Sequence, residues 1–475
     1  MSTQTERVAW TPQLLRVMVG LMLSLFIAAM DSTVVGTALP TIARELGHFE
    51  LYPWIVSGYL ITATTTVPVW GRLADIHGRR PVLLAGIVVF VIASVLCAAS
   101  PGMGWLIAFR TLQGIGAGCI QPLVFTIVGD IFPLQQRARL QGLFSSMWGV
   151  AAILGPILGA LFVSTIGWRW IFTINLPIGV VAGGLVWAYR EHRPEQVSRS
   201  LDVRGAILLT VGIVLLLFGF GTGSATATPN WPLAVLAVIA LGAFALVEWR
   251  SANPLLPLDL LRHRVIGPAI GIALLAGTLM FGVTAYIPLW VQRVEGGSAY
   301  AAGAAVGAMS IGWPVMSAIS GLIMVRVGYQ RLVLAGGLAL FVGSLMLAFG
   351  PTDLGVIWAG VASAVIGAGM GMFTAPLLIV IQSSVEWGRR GAATALNQFS
   401  RTIGGAVGVS LLGVLLQSYV RSSGNPLGAR VQLQAGLHAD FLVLVILAAM
   451  VLAAGIAVLI TSRRLTKQSA TVAVS

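Results

Sequence analysis

Residues 14–39 form the stretch that decides the fold, LLRVMVGLMLSLFIAAMDSTVVGTAL. An apolar run of this length predicts a helix that spans a membrane. Its interior holds a carboxylate, Asp31, which is costly in a bilayer and is therefore a functional residue by default. The alternative is a polar helix contact that Ser32 or Thr33 satisfies. The chain has 15 Asp and Glu residues. We expect all the others in loops, tails or helix ends, so that Asp31 is the only deep acid.

The composition extends this interpretation to the whole chain. Hydrophobic residues make up 57% and charged residues 9%, whereas soluble domains carry about 25% charged residues. Most of the 28 Lys and Arg residues fall in loops on one side of the predicted spans. This asymmetric distribution of basic residues follows the positive-inside rule and does not indicate a nucleic-acid-binding face. It places both termini in the cytoplasm. Abundant Arg, Ala and Gly suggest a bacterial source. We therefore expect a multi-pass protein of the bacterial cytoplasmic (inner) membrane, in contact with lipid.

An internal repeat organises fourteen predicted spans. The loop that begins at Gly71 returns 250 residues later at Gly321, and the glycine ladder of 114–118 returns at 367–371. Spans one to six thus resemble spans nine to fourteen, with spans seven and eight inserted. The expected fold is all-α, and this plan is typical of repeat-built transporters. Its parts are an N-terminal six-helix half (1–189), cytoplasmic linkers with two inserted spans (190–264) and a C-terminal six-helix half (265–475).

Several stretches resemble the signatures of one transporter family. They are the loop GRLADIHGRR (71–80), the run RTLQGIGAG (110–118), the set Gly142, Ala151, Gly155-Pro156 and Gly159-Ala160, the run MDSTVVGTALP (30–40) and the run WRWIFTINLPIG (168–179). Together they make the whole chain similar to the major facilitator superfamily, and within it to the fourteen-span drug:proton antiporters, which are multidrug efflux transporters. Two glycines of the span-five signature are alanine here, and Gly36 stands where the family usually has Asn. The resemblance implies efflux rather than uptake.

The loop 71–80 carries chemistry of its own. Gly71 and Gly78 permit a tight turn, and Asp75 can accept hydrogen bonds from the amides at a neighbouring helix N-terminus. Plain positive-inside topology is the alternative, although it does not require the acid. The resemblance implies that the loop latches the two halves in one state. The latch residues are Gly71, Arg72, Asp75, Gly78, Arg79 and Arg80.

Span five has an interrupted helix ladder at Gly155-Pro156, and Gly142 and Gly159 allow close backbone approach. An ordinary helix kink is the alternative. The resemblance implies that this bend lies at the interface between the halves and disfavours a leaky state.

Arg110 is the second charge inside the predicted spans. It lies about 9 Å, and Asp31 about 12 Å, from the same outer surface at 1.5 Å per residue. The resemblance makes spans one and four neighbours and so implies a proton-coupling pair. A nearby Arg lowers, and burial raises, the proton affinity of a carboxylate, which suits a group that binds and releases a proton in each cycle. The alternative is a static ion pair. Arg401 is a third buried charge, which Asn397 and Gln398 could satisfy locally.

The substrate cavity should be apolar with few polar groups. Met residues repack around varied ligands and aromatic rings attract cations, although each candidate alone also fits ordinary packing. The candidates are Tyr59, Gln113, Gln121, Tyr286, Gln292, Trp313, Met370, Met372, Asn397, Phe399 and Arg401. A single buried acid argues against dicationic substrates.

The leading function is proton-coupled antiport by alternating access, exporting hydrophobic and mainly cationic small molecules such as drugs, antiseptics and dyes. We expect no cofactor and no ATP, because a P-loop needs a lysine and the one lysine is Lys467, in the tail. Cys97, Cys119 and the scattered histidines show neither metal nor catalytic spacing. The alternatives are export of an endogenous metabolite or lipid, a receptor of the same fold, and a membrane enzyme.

Overall fold

The computed structural model describes residues 8–47, 51, 53–190, 202–219, 230–251, 254–256, 258–350, 355–420 and 426–472. Within these ranges all regular secondary structure is helical. Most of the predicted linker after residue 190 lies outside the described residues.

The helices before residue 251 are α1 (Pro12–Leu46), α2 (Pro53–Thr65), α3 (Val67–His77), α4 (Arg79–Ala98), α5 (Met103–Ile131), α6 (Leu134–Thr165), α7 (Trp170–Thr173), α8 (Asn175–Val186), α9 (Val203–Gly219) and α10 (Trp231–Arg250). Those after it are α11 (Ile266–Arg293), α12 (Ala299–Val327), α13 (Tyr329–Phe349), α14 (Gly355–Ser383), α15 (Arg390–Val420) and α16 (Pro426–Val472). Short 3-10 helices cover Leu258–Arg262 and Trp387–Arg389.

Local signals set several helix starts. The Thr11 hydroxyl accepts a hydrogen bond from the Leu14 amide, with Pro12 at the first helical position. The Ser298 side chain caps α12 in the same way by accepting from the Ala301 amide. The break between α2 and α3 falls just before Pro68, which has no amide hydrogen to continue the ladder.

Among the described residues, eleven helical segments are long and apolar enough to cross a membrane. Two shorter apolar segments, Trp170–Val186 and Val203–Gly219, and the broken pair α2–α3 lie where three further spans are predicted. The protein is therefore an all-helical, multi-pass membrane protein. The count of fourteen spans stays a prediction, because these three are short or interrupted.

The chain divides into two compact units. The first comprises Met1–Gln136, Ser146–Asp259 and Val385–Phe399. The second comprises Arg137–Ser145, Leu260–Ser384 and Ser400–Ser475. The helices α6 and α15 each supply residues to both units. The division into 1–189, 190–264 and 265–475 stays a prediction.

In the first unit, α5 packs between α2 and α4 through its glycines. A side chain at Gly114 would overlap the Tyr59 carbonyl of α2, and one at Gly116 would overlap the backbone of Gly86 in α4. Apolar helices in a membrane gain little by leaving lipid for each other, because lipid is as apolar as the protein interior. The close packing that glycine allows is therefore what stabilises this helix contact.

In the second unit, the glycines of α14 allow the same close approach of neighbouring helices. A side chain at Gly371 would overlap the Trp313 carbonyl of α12, and one at Gly369 would overlap the Gly336 carbonyl of α13. The two ladders that the sequence repeats therefore make the same kind of three-helix contact.

The turn from α3 to α4 requires a glycine. Gly78 has φ +96°, and its repeat counterpart Gly328 has φ +85°, both in the region that favours glycine. The expectation that Gly71 also shapes this turn is wrong. Gly71 lies inside α3, where its missing side chain lets α15 approach at Ala395.

Candidate functional site

Asp31 of α1 and Arg110 of α5 form an ion pair inside the first unit. Arg110 Nη1 lies 2.6 Å from Asp31 Oδ2. The exposed fractions are 0% for Asp31 and 1% for Arg110, so water does not screen the pair. Buried charges persist in proteins when they are paired and hydrogen-bonded, and this pair neutralises both of the charges that the sequence places at similar depth.

Two amide side chains complete the coordination of the carboxylate. Gln113 Nε2 donates to Asp31 Oδ1 at 2.9 Å, and Asn175 Nδ2 donates to the same oxygen at 3.1 Å. The Ser94 hydroxyl accepts from both amides, at 2.6 Å from Gln113 and 3.0 Å from Asn175. Helices α1, α4, α5 and α8 thus meet at one polar network within an apolar bundle. We refer to Ser94, Asp31, Arg110, Gln113 and Asn175 as the Asp31 network.

Sequence reasoning missed Ser94 and Asn175 and assigned Gln113 to the substrate cavity. Asn175 lies in the quoted run 168–179, so its motif was visible but its role was not. The alternative in which Ser32 or Thr33 satisfies Asp31 is wrong. The Ser32 hydroxyl donates to the Ala29 carbonyl, and the Thr33 hydroxyl donates to main-chain carbonyls, so neither has a proton left for the carboxylate.

Arg110 has partners besides Asp31. Its Nε donates to the Ile55 carbonyl at 3.2 Å, and its Nη1 donates to Gln113 Oε1 at 2.7 Å. The guanidinium also lies 4.2 Å from the centre of the Tyr59 ring, a cation–π contact. Tyr59, a candidate for the cavity, is therefore buried beside the ion pair. These contacts would keep Arg110 partly satisfied if Asp31 lost its charge.

The expectation that Asp31 is the only deep acid is wrong. Asp440 lies ten residues inside the membrane-spanning segment Arg430–Ala457, and its exposed fraction is 0%. The predicted last span began at His438, which put Asp440 at a helix end, but α16 already begins at Pro426. The argument against dicationic substrates loses its basis.

The predicted latch residue Asp75 is buried in the first unit and holds the first turn of α15. Its carboxylate accepts from the Gly391 amide at 3.1 Å and the Ala392 amide at 2.8 Å, and Arg79 Nη2 lies 2.9 Å away. An anion at a helix N-terminus satisfies free amides and complements the helix dipole. Burial raises the pKa of Asp75 to about 7, against the lowering effects of Arg79 and of these amides.

Arg79 joins the turn to other charged groups of the same unit. It donates to the Trp387 carbonyl at 2.7 Å, stacks 3.7 Å from the Trp387 ring and pairs with Asp130 at 3.1 Å. Arg390 also pairs with Asp130, at 3.2 Å. Sequence reasoning missed Asp130, Trp387 and Arg390, which come from distant parts of the chain. We refer to Asp75, Arg79, Asp130, Trp387 and Arg390 as the turn cluster.

The remaining latch residues lie at the edge of this cluster. Arg80 stacks 4.6 Å from the Trp187 ring. Arg72 is half-buried on α3, and its charge lowers the pKa of Asp75.

The span-five glycines lie on a continuous helix, α6, which runs through Pro156. In the first unit, a side chain at Gly155 would overlap the Thr33 hydroxyl, and one at Gly159 would overlap the Thr37 hydroxyl, both on α1. In the second unit, a side chain at Gly142 would overlap the Ala318 backbone of α12. The predicted close backbone approach is present at all three glycines.

The other cavity candidates are spread over both units. In the first unit, Gln398 Nε2 donates to Gln121 Oε1 at 2.7 Å. In the second, the Tyr286 hydroxyl donates to the Val409 carbonyl at 2.8 Å, and Arg401 lies 5.5 Å from the Trp313 ring. The burial of the remaining candidates varies. Met370 and Phe399 are buried, Met372 and Asn397 are half-buried, and Gln292 is exposed.

Among the described residues, no group of three or more His, Cys, Asp or Glu side chains is placed to hold a metal ion.

Comparison with known proteins places this architecture in a family. Residues 21–409 match the family model of the Major Facilitator Superfamily. The chain is 34% identical to the "Multidrug transporter protein MdtP" of Bacillus subtilis, over 86% of this chain and 75% of that protein. It is 32% identical to the "Efflux pump dotC" of Dothistroma septosporum, over 85% of this chain and 72% of that protein.

A solved structure shows the same fold at lower sequence identity. The crystal structure of the human organic anion transporter MFSD10 aligns with a TM-score of 0.63 and 18% identity, covering 94% of this chain and all of that chain. Together with the matched family model and its curated relatives, this shows that the chain belongs to the major facilitator superfamily of membrane transporters.

Proposed function

We propose that the protein is a proton-coupled antiporter that exports hydrophobic, mainly cationic small molecules such as drugs, antiseptics and dyes. It acts by alternating access in the inner membrane of a bacterium, with both termini in the cytoplasm, and the proton gradient drives it without ATP. The observation that carries this proposal is the buried Asp31–Arg110 pair. The names of the relatives, a multidrug transporter and an efflux pump, support the substrate class.

The Asp31 network suits a reversible protonation. When a proton binds Asp31, the carboxylate loses its charge and the ion pair with Arg110 ends. Arg110 keeps the Ile55 carbonyl, the Gln113 amide oxygen and the Tyr59 ring. Protonation therefore leaves Arg110 as a buried charge without an ionic partner, and these contacts reduce the cost of that state.

The same network links protonation to helix position. Asp31 is held by groups on α5 and α8, and Arg110 also holds the backbone of α2 at Ile55. Loss of the ion pair weakens the contact between α1 and α5, and a ligand or proton shifts a conformational equilibrium only by such a difference in interaction energy.

Substrate reaches Asp31 only when the network opens, since the carboxylate is fully buried and takes three side-chain donors. In that open state a hydrophobic cation and a proton compete to neutralise the same carboxylate. Competition for one site gives exchange, because binding of one partner releases the other.

The turn cluster has a supporting role in this proposal. Asp75 fixes the start of α15 to the turn between α3 and α4, and its release frees that helix start during the transport cycle.

The test is proton release from purified protein in weakly buffered detergent solution. A panel of lipophilic cationic dyes, including ethidium, is added to the wild type, to Asp31→Asn and to a control, Glu45→Gln. Glu45 is an acid on the same helix, but its side chain is about half exposed and pairs weakly with Arg169 at 3.8 Å.

We expect dye binding to release protons from the wild type and from Glu45→Gln, and none from Asp31→Asn. Asn is nearly isosteric with Asp, so the variant should fold. Equal release from Asp31→Asn and wild type would show that another group couples the proton.

A further inference from the structure

The second buried acid, Asp440, lies deep in the second unit. It is about 15 Å along α16 from Arg430 at a rise of 1.5 Å per residue. It belongs to a stripe of fully buried residues that includes Leu437 and Leu444. The helices that pack against this face are α11, α13 and α15. An acid in this position is a functional-site hypothesis by default.

Asp440 differs from every other acid described above because its carboxyl oxygens lack partners. Among the described residues, neither oxygen has a hydrogen-bond donor within reach. Asp31 takes three donors and Asp75 takes two amides and an arginine. Glu248, buried near the end of α10, accepts from the amides of Leu255 and Leu256. At these three acids burial is accompanied by hydrogen-bond donors, whereas at Asp440 none is present in the described part of the chain.

The charged and titratable groups around Asp440 do not compensate it. Tyr286 of α11 is close enough to feel its charge, but the Tyr286 hydroxyl proton is already donated to the Val409 carbonyl. None of the other such groups on these helices forms a hydrogen bond or an ion pair with Asp440 in the described part of the chain. Among the described side chains, those groups are Arg293, Tyr329, Arg331, Arg390, Arg401, Tyr419, Arg430 and His438, together with Glu295 just after α11.

An isolated ionised carboxylate in such surroundings would be very costly, whereas a protonated carboxyl group is neutral. The geometry therefore fits a side chain that carries its own proton. A proton is also the one cation that needs no ligand cage besides the carboxyl group itself.

A cavity of about 220 Å³ lies beside the residues that flank Asp440, although Asp440 itself does not line it. Its lining includes Ile287 and Trp290, which follow Tyr286 on α11, and His438 and Phe441, which flank Asp440 on α16. Glu295 and Gln434 add polar atoms to the wall. Most of the cavity wall is apolar, but a cavity of this size has room for several waters held by its few polar groups, so a proton acceptor would stand within one helical turn of the carboxyl group.

We propose that Asp440 is a second proton-carrying carboxyl group of this transporter. In the state of the cycle in which water of the adjacent cavity reaches Asp440, its O–H bond breaks and the proton passes to that water, which leaves a hydrated carboxylate. In another part, the carboxylate takes a proton back from hydronium. This inference rests on the proposed proton coupling and adds one proton to that carried at Asp31.

The experiment compares proton-to-substrate ratios in proteoliposomes. A gradient of a cationic dye that the protein binds is set against opposing pH gradients, and the pH gradient that abolishes net dye flux gives the ratio. The variants are Asp440→Asn and the control Glu248→Gln, which changes a buried acid that has donors. With one proton for each titrating carboxyl group, we expect about two protons per dye for wild type and control and about one for Asp440→Asn.

A second measurement covers the case in which Asp440→Asn folds poorly. Infrared difference spectra between low and high pH are recorded on Asp31→Asn and on the double variant Asp31→Asn/Asp440→Glu. We expect the band of a protonated carboxyl group in the first, and a shifted band in the second because the Glu carboxyl group absorbs at a different frequency.

The outcomes separate the two proposals. A wild type without any proton dependence would overturn the proposed function and this inference together. Proton coupling with the same ratio in wild type and Asp440→Asn would overturn the inference alone. Identical infrared bands in the two Asp31→Asn backgrounds would also overturn it, because the protonated group would then not be residue 440.

Discussion

A double-mutant cycle on the Asp31–Arg110 pair tests whether the network is one energetic unit. The single variants are Arg110→Gln and Asp31→Asn, and the double variant carries both. Arg110→Gln removes the 2.6 Å ion pair and the bond to the Ile55 carbonyl, and it leaves Asp31 buried with only the donors of Gln113 and Asn175. Asp31→Asn leaves Arg110 charged with the Ile55 and Gln113 oxygens.

The magnitudes follow from burial. Removing one member of a buried ion pair costs about 3–5 kcal/mol because the other charge stays uncompensated. Because Asp31 keeps two donors and Arg110 keeps two acceptors, each single variant should be destabilised by about 3 kcal/mol. Replacing both members leaves no buried charge, so the double variant should lie within about 1 kcal/mol of wild type. The coupling energy, the sum of the two single effects less that of the double variant, should then be about 5 kcal/mol, above the roughly 0.5–3 kcal/mol usual for residues in contact.

The assay is equilibrium or thermal unfolding of the purified variants in one detergent. The control cycle uses Arg169 and Glu45, a pair at 3.8 Å with both side chains about half exposed, which should couple by less than about 1 kcal/mol. Destabilisations at Asp31 and Arg110 that add within about 0.5 kcal/mol would refute the reasoning. The double variant should also lose dye-induced proton release although its stability is close to that of wild type. The effect on proton coupling is thereby distinguished from the effect on folding.

Two further predictions concern the turn cluster and α6. Asp75→Asn should express normally and lose much of the transport rate. The reason is that the Gly391 and Ala392 amides lose their anionic acceptor, which weakens this contact by about 1–3 kcal/mol. Because burial raises the pKa of Asp75 to about 7, the folded unit binds this proton more tightly than the unfolded chain does. Wild-type thermal stability should therefore fall as the pH rises from about 4 to about 7, between the pKa values of the unfolded and folded states, and Asp75→Asn should lack this component. A pH profile unchanged by Asp75→Asn would contradict the assignment. Gly155→Leu should insert normally but abolish efflux, because the leucine side chain would overlap Thr33 on α1. The control is Gly184→Leu, at an exposed position on α8 with open space around it, and this variant should still transport dye. Equal efflux by the two leucine variants would argue against close packing of α1 and α6.

The sequence by itself determined the membrane class, the position of most helices and the presence of an acid, Asp31, deep inside the first one. These follow from long apolar runs and from the cost of a charge inside them, which are properties of single segments. The glycine ladders were equally readable, because small residues at close spacing serve helix contact wherever they occur in a membrane. The ion pair of Asp31 with Arg110 followed from depth along two helices and from the family resemblance.

Only the tertiary structure decided which side chains surround each charge. Asn175 donates to Asp31, and Ser94 accepts from Asn175 and Gln113, both from helices far along the chain. Nothing in the local sequence of Ser94 or Asn175 marks the inward face. The same holds for Asp440, which the predicted start of the last span at His438 placed at a helix end although α16 had already begun at Pro426. In a membrane helix that is apolar on all sides, hydropathy carries little information about orientation, because lipid and protein interior present similar surroundings. Rotation and register are fixed by packing against neighbours. They decided that Asp31 has donors and that Asp440 has none among the residues that the structure describes.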